Sequence, residues 1–212
     1  MNRQKTLFLT QFALLVAIEA IVCFTPLGSL PAIGPIVATL SHIPVIITAV
    51  LLGTRAGSLM GFFFGLFSFI VWTFMPPAPP IAFVFTPFYS FGNFSGNFFS
   101  LLICFVPRIL IGTVTGLLFG ILKKMKFDKS QIFAYSVAGL AGSLVNTFLV
   151  LGGIYVFFGQ NYSTAIDQAH NLLLGLIGMT ILTSGIPEAI LGAVMAYAVG
   201  KPVNSLLNKG NS

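Results

Sequence analysis

The chain has 212 residues, of which 57% are hydrophobic and 7% charged, with a net charge of +6. A soluble domain carries about 25% charged residues, so a water-facing fold is excluded and the composition suits a lipid bilayer. Residues 1–212 hold one compact membrane domain, with room for about five to seven spans of roughly 20 residues, and none for a twelve-helix carrier or an appended nucleotide-hydrolysing domain.

Taken in order, hydropathy marks six spans. The first is Leu7–Phe24, preceded by Arg3 and Lys5 in the manner of a secretion signal. Glu19 interrupts its apolar run and no small-x-small cleavage site follows, so a retained helix is expected. A Pro/Gly-rich loop, Thr25–Pro35, leads to a short second span at Ile36–Leu52. The turn Gly53-Thr54-Arg55 joins it to the third span, Ala56–Phe74. The loop Met75–Asn97 opens with Met75-Pro76-Pro77-Ala78-Pro79-Pro80, which cannot continue a helix. Span four is Phe98–Leu122 and span five Ile132–Phe158; the loop Gly159–His170 precedes span six, Asn171–Val199.

The basic residues orient these spans. Arg3, Lys5, Arg55, Lys123, Lys124, Lys126, Lys129, Lys201 and Lys209 all fall on one side, and the loops on the other side contain no Lys or Arg. Cytoplasmic loops carry the excess of Lys and Arg, so the expected architecture is an all-α integral membrane protein. It is a compact bundle of six transmembrane helices with both termini in the cytoplasm. The positive charge is thus a membrane-topology signal, and no nucleic-acid partner is implied. The outer loops at Thr25–Pro35 and Met75–Asn97 are rich in Pro, Gly and Phe. They read either as lids over a small molecule entering from outside or as inert caps on the bundle.

Ionisable groups within a membrane are costly and mark function by default. Arg108 lies about ten residues into span four, roughly 15 Å deep. Glu188 follows Gly185-Ile186-Pro187, a sequence expected to break or kink span six, and Glu19 lies in the outer half of span one. Arg108 and Glu188 suit either a helix-locking ion pair or a site in which Arg108 takes a ligand carboxylate. Glu19 suits a bond to a neighbouring helix or to a ligand hydroxyl or amide.

Uncharged polar residues gather toward the outer half: Thr39, Ser41 and His42 at span two, Tyr89, Asn93 and Asn97 before span four, Asn146 in span five and Asn171 at the start of span six. Singly each suits a helix cap or an interhelical hydrogen bond; together they point to a polar ligand. The candidate site comprises Thr39, His42, Tyr89, Asn93, Asn97, Arg108, Asn146 and Glu188. Cys23 and Cys104 lie in apolar runs, and no metal-ligand spacing occurs. Nothing implies a cofactor. The motifs G-x-x-x-x-G-K-[ST], G-x-S-x-G, H-E-x-x-H and C-x-x-C are absent, so neither ATP hydrolysis by this chain nor a membrane enzyme is indicated.

Small residues recur every fourth position. Gly57, Gly61 and Gly65 mark span three, Gly112, Gly116 and Gly120 span four, and Gly192, Ala196 and Gly200 span six. These suit close packing within the bundle. Ala13 and Ala17 in span one form a similar pair that suits another subunit.

The stretch Thr25-Pro26-Leu27-Gly28…Ile33-Gly34-Pro35-Ile36…His42-Ile43-Pro44-Val45-Ile46-Ile47, followed by Leu51-Leu52-Gly53-Thr54-Arg55-Ala56-Gly57, resembles the signature of the substrate-binding S components of energy-coupling factor vitamin transporters. Phe83-Val84-Phe85-Thr86-Pro87-Phe88 and Pro107-Arg108-Ile109-Leu110-Ile111-Gly112 are similar to the pantothenate-type branch. The likeness covers nearly the whole chain. Thr54 departs from the family's usual G-P-x-A-G turn, which affects the turn alone. The resemblance implies a high-affinity vitamin-binding subunit in a prokaryotic plasma membrane. Ala13 and Ala17 would dock it onto a transmembrane coupling subunit driven by two cytoplasmic ATPases. Pantothenate, with one carboxylate, an amide and two hydroxyls, suits Arg108 and the amides. Riboflavin, folate or a pyridoxine-type vitamin stays open, as does a stand-alone channel or facilitator.

Overall fold

The computed structural model describes residues 3–25, 40–125 and 131–209. The main elements are helices α1 (Arg3–Phe24), α2 (Ile43–Leu52), α3 (Thr54–Phe74), α4 (Phe98–Leu122), α5 (Ile132–Ala165), α6 (Leu173–Thr180) and α7 (Ile186–Lys209). The only strands among the described residues are β1 (Ser90–Phe91) and β2 (Phe94–Ser95), a two-residue antiparallel pair. Five helical stretches are long and apolar enough to cross a membrane; α2, with 10 residues, is a shorter apolar helix. Large apolar side chains on the outside of these helices, among them Leu14, Leu117, Ile121, Val156 and Leu182, are exposed. That surface suits lipid contact.

Helix ends follow local chemistry. α1 and α3 stop at Phe24 and Phe74, each two residues before a proline, Pro26 and Pro76, and a proline disfavours helix in the residue before it. α2 ends at Gly53, whose φ of +89° suits glycine, and α3 begins on the next residue. Asn97 starts α4: its Oδ1 accepts from Phe99 N at 2.9 Å, and Ser100 Oγ accepts from Asn97 N at 3.0 Å. Replacing Asn97 by alanine removes this cap. It is expected to cost about 1 kcal/mol and lower the melting temperature in detergent by about 2–4 °C; an unchanged melting curve would refute that role.

Several boundaries differ from the expectation: α1 begins at Arg3 and not Leu7, α2 at Ile43 and not Ile36, and the last helix runs to Lys209 and not Val199. α5 continues to Ala165 instead of stopping at Phe158, so most of the anticipated loop Gly159–His170 is helix. Its 34 residues rise about 51 Å. The polar run after Phe158 stays helical because one side of it is buried: Phe158 and Tyr162 pack with Ile81, Phe83, Val84 and Leu173. Tertiary burial outweighs the weak helix propensity of Gly and Asn. The anticipated span six is a continuous helical stretch from His170, with a wide π-type turn at Ile181–Gly185 just before Pro187. Pro187 has no N–H for the carbonyl one turn back, and a π-turn is a common way for a helix to absorb such a mismatch.

Glycine stripes set the bundle. A Cβ on Gly57 would meet Gly112 O at 2.9 Å, and one on Gly116 would meet Thr54 Cα at 2.6 Å. On the other side a Cβ on Gly139 would meet Gly192 O at 2.5 Å. The stripes on α3, α4 and α7 therefore serve internal packing, with α3 against α4 and α5 against α7. Gly120 is an exception, with nothing within 4 Å of its would-be Cβ. α1 lies at the periphery against α3 and α2. Glu19 is the one buried residue among its described side chains, with Cys23 Sγ donating to Glu19 Oε1 at 3.3 Å. Ala13 and Ala17 are exposed.

The loop Met75–Asn97 is built as a cap. Pro79–Val84 form a 3-10 turn, and Ile81, Ala82, Phe83, Val84 and Phe85 are all buried. Ser100 Oγ donates to Phe83 O at 2.7 Å, tying the cap to the start of α4.

Candidate ligand-binding site

Beneath this cap lies a cavity of about 370 Å³, within the range of small-molecule sites. It is walled by the end of α1, the last turns of α3, the cap, the middle of α4 and α5, and the π-turn region before α7. The walls are mostly apolar or aromatic, and Arg108, Asn146 and Glu188 all line it.

The sequence around Arg108 explains its conformation. Pro107 sits inside α4 and has no N–H, so the carbonyl one turn back, that of Ile103, loses its helical donor. Arg108 Nη1 donates to that Ile103 oxygen at 2.7 Å. The guanidinium carbon also stands over the rings of Phe64 and Phe85, at 5.6 and 5.5 Å from their centroids. Trp72 stacks on Phe85 with centroids 4.5 Å apart. A buried cation is thus stabilised by a carbonyl dipole and two negative ring faces. The backbone of α4 is brought there by Gly61, whose would-be Cβ falls on the carbonyl oxygen of Arg108.

Three cavity-lining residues carry a buried polar atom with no hydrogen-bond partner among the described residues: Arg108 Nε, Asn146 Oδ1 and Tyr162 OH. Such atoms are costly unless something satisfies them. Hydroxyls add acceptors. Thr147 Oγ1 donates to Ser143 O at 3.3 Å, Thr180 Oγ1 to Leu176 O at 2.9 Å and Thr25 Oγ1 to Ile21 O at 2.7 Å. Each hydroxyl proton is thereby used on its own helix, and the oxygen lone pairs remain for a guest.

The other anticipated site residues lie elsewhere. Thr39 falls outside the described residues. His42 is buried at the start of α2 and does not line the cavity, although its neighbour Ser41 does. Asn97 is the cap of α4, Asn93 is exposed at the hairpin turn, and Tyr89 accepts a backbone bond from Gly96 N at 3.3 Å; none of the three lines the cavity. The cavity adds residues that the sequence reading did not single out, among them Ser68, Trp72, Thr147, Tyr162, Thr180 and Ser184. Thr180, Ser184 and Glu188 recur every fourth position, a polar stripe on one helical face that was present in the sequence. Among the described residues no three His, Cys, Asp or Glu side chains gather as metal ligands. The arrangement can enclose a small polar molecule with one anionic end.

The family described as ECF transporter, substrate-specific component, matches residues 7–203. The chain belongs to that family. It is therefore a transport component and not an enzyme. Two relatives are similar over most of their length. The pantothenic acid transporter PanT of Lactococcus lactis subsp. cremoris is 32% identical over 166 residues, covering 78% of this chain and 76% of the relative. The pantothenate transporter PanT of Leuconostoc mesenteroides subsp. mesenteroides is 30% identical over 212 residues, covering 94% and 93%. In this family member the cap and the helix ends enclose the cavity, and the one arginine within the helical core lines it.

Proposed function

We propose that this S component captures pantothenate in the cavity under the cap and delivers it through an ATP-driven importer in a prokaryotic plasma membrane. The observation that carries this reading is a set of buried polar atoms without hydrogen-bond partners among the described residues, Arg108 Nε, Asn146 Oδ1 and Tyr162 OH, on residues that line a cavity of about 370 Å³. Arg108 pairs with the carboxylate, Asn146 Oδ1 accepts from the amide or a hydroxyl, and Tyr162 and the Thr and Ser oxygens take the remaining hydroxyls. Glu188, on the same wall, accepts from a ligand hydroxyl. The names of the two relatives support pantothenate over riboflavin, folate or a pyridoxine-type vitamin.

The chain is read as one domain of six spans, α2 with the preceding residues completing the sixth, and both termini cytoplasmic. The placement of Lys and Arg supports this orientation. Arg55 lies at the α2–α3 junction, Lys123 and Lys124 follow α4, and Lys201 lies toward the end of α7, whereas the cap over the cavity has no charged residue. The cavity then opens outward. Ala13 and Ala17, exposed on the loosely packed α1, dock on a transmembrane coupling subunit that two cytoplasmic ATPases drive.

Binding and coupling are tested separately. Thermal shifts of the purified protein across a vitamin panel are expected to single out pantothenate, and no response to it would overturn the proposal. Replacing Ala13 and Ala17 by leucine is expected to abolish ATP-dependent uptake in reconstituted vesicles while pantothenate binding stays intact. Uptake by the lone protein without ATPase partners would instead favour a facilitator.

A further inference from the structure

We infer that Pro107, Phe64 and Phe85 form a clamp that fixes how Arg108 is presented, so that the site selects a ligand ending in a planar carboxylate over one ending in a neutral hydroxyl. This rests on the proposal that the cavity binds pantothenate, and concerns how its acid end is chosen.

The argument begins with the five donors of a guanidinium, which form a rigid planar fork. One of these donors, on Nη1, goes to the Ile103 carbonyl at 2.7 Å, and that carbonyl accepts from a side chain because Pro107 has no N–H to offer it. The ring faces of Phe64 and Phe85, at 5.6 and 5.5 Å, attract the cation and repel anions from those directions. Nε has no hydrogen-bond partner among the described residues. The edge that Nη2 shares with a neighbouring nitrogen is therefore left for a ligand. Two parallel N–H donors on that edge match the two oxygens of a carboxylate. A hydroxyl can use one of them and leaves the other unpaired in a buried site, the situation in which a polar site discriminates most strongly.

Each clamp residue has a separate origin. Pro107 belongs to α4, Phe64 to α3, and Phe85 to the cap, where Trp72 backs it at 4.5 Å. None of the three carries a hydrogen-bonding group for the ligand. They are positioning residues acting through Arg108.

The test compares pantothenate with its primary-alcohol analogue, in which the carboxylate is reduced to a hydroxymethyl group, in binding to the purified protein. The unaltered protein is expected to favour the acid by at least about tenfold. Phe85→Leu keeps an apolar side chain of similar reach and removes the ring face. Pro107→Ala gives Ile103 its backbone donor again and releases Nη1. Both variants are expected to narrow the acid-to-alcohol ratio by roughly tenfold, the acid losing more affinity than the alcohol, and Phe85→Tyr to restore the ratio. A merely structural role would weaken both ligands in parallel; a parallel loss, or an unchanged ratio, overturns the clamp. Pro107→Ala favours a regular helix, so it decides the matter even if Phe85→Leu impairs folding. Failure of the unaltered protein to bind pantothenate would count against the proposed function instead, and is a distinguishable result.

Discussion

Replacing Arg108 by alanine is expected to weaken pantothenate binding by roughly a hundred- to several-thousandfold. Removing one partner of a buried charge pair costs about 3–5 kcal/mol, because the other charge is left uncompensated in a low-dielectric site. The acid-bearing ligand would suffer that loss in full, whereas its primary-alcohol analogue would lose one neutral-to-charged hydrogen bond at most. Arg108→Lys is expected to fall between, since an ammonium keeps the charge and cannot form the side-on fork. The unliganded fold should survive: the variant strands the Ile103 carbonyl, at about 1–3 kcal/mol, and removes a buried cation whose desolvation opposed folding. Trp72 provides the readout. It is the one tryptophan in the chain, it lines the cavity and it stacks on Phe85, so its emission reports occupancy directly. Retention of near-normal affinity in Arg108→Ala would remove the carboxylate role altogether.

What the sequence made legible follows from how local each signal is. Span four is found at Phe98–Leu122 as expected, because both of its ends carry local markers: Asn97 as a cap and the lysines that follow Leu122. α1 and α3 end where a proline follows closely. The end of α5 lies beyond the expected Phe158: Gly159, Gln160 and Asn161 are loop-forming by composition, and what keeps them helical is burial of Phe158 and Tyr162 beneath a cap far away in sequence. The cavity was legible at the membrane charges and less so elsewhere. Arg108, Asn146 and Glu188 do share one cavity. Arg108 is held by a carbonyl freed by the adjacent proline and by two rings, and Glu188, the opposite charge expected near it, lines the same cavity. The Pro107–Arg108 pair contained that signal, in the form of a missing backbone donor. Tyr89, Asn93 and Asn97 join the expected site because polar residues gather toward the outer half, yet a hairpin and a helix cap account for two of them. Polar residues next to a loop have local uses that sequence proximity does not separate from ligand contact.

The contact between α3 and α4 decides whether the cavity exists, and Gly61 tests it. A Cβ there would fall on the carbonyl oxygen of Arg108 and 2.8 Å from Ile109 Cα, both main-chain atoms that no rotamer change can move aside. Gly61→Val must therefore separate two helices. α3 carries Phe64, Ser68 and Trp72 into the cavity wall, while α4 carries Arg108, so the separation displaces the aromatic faces from the guanidinium. Overpacking typically costs about 1–3 kcal/mol and more against rigid backbone. The expected outcome is a melting temperature lower by about 4–8 °C or more, at roughly 2–4 °C per kcal/mol for a chain of this size, together with loss of pantothenate binding. Gly120→Ala on the same α4 is the matched control. Nothing lies within 4 Å of its would-be Cβ, and replacing a helical glycine there is expected to leave binding intact and to stabilise by about 0.5–1 kcal/mol. If Gly61→Val melted and bound like the unaltered protein, the α3–α4 contact would not be what positions Arg108. If both glycine variants were equally harmful, helix insertion and not this crossing would be the sensitive step.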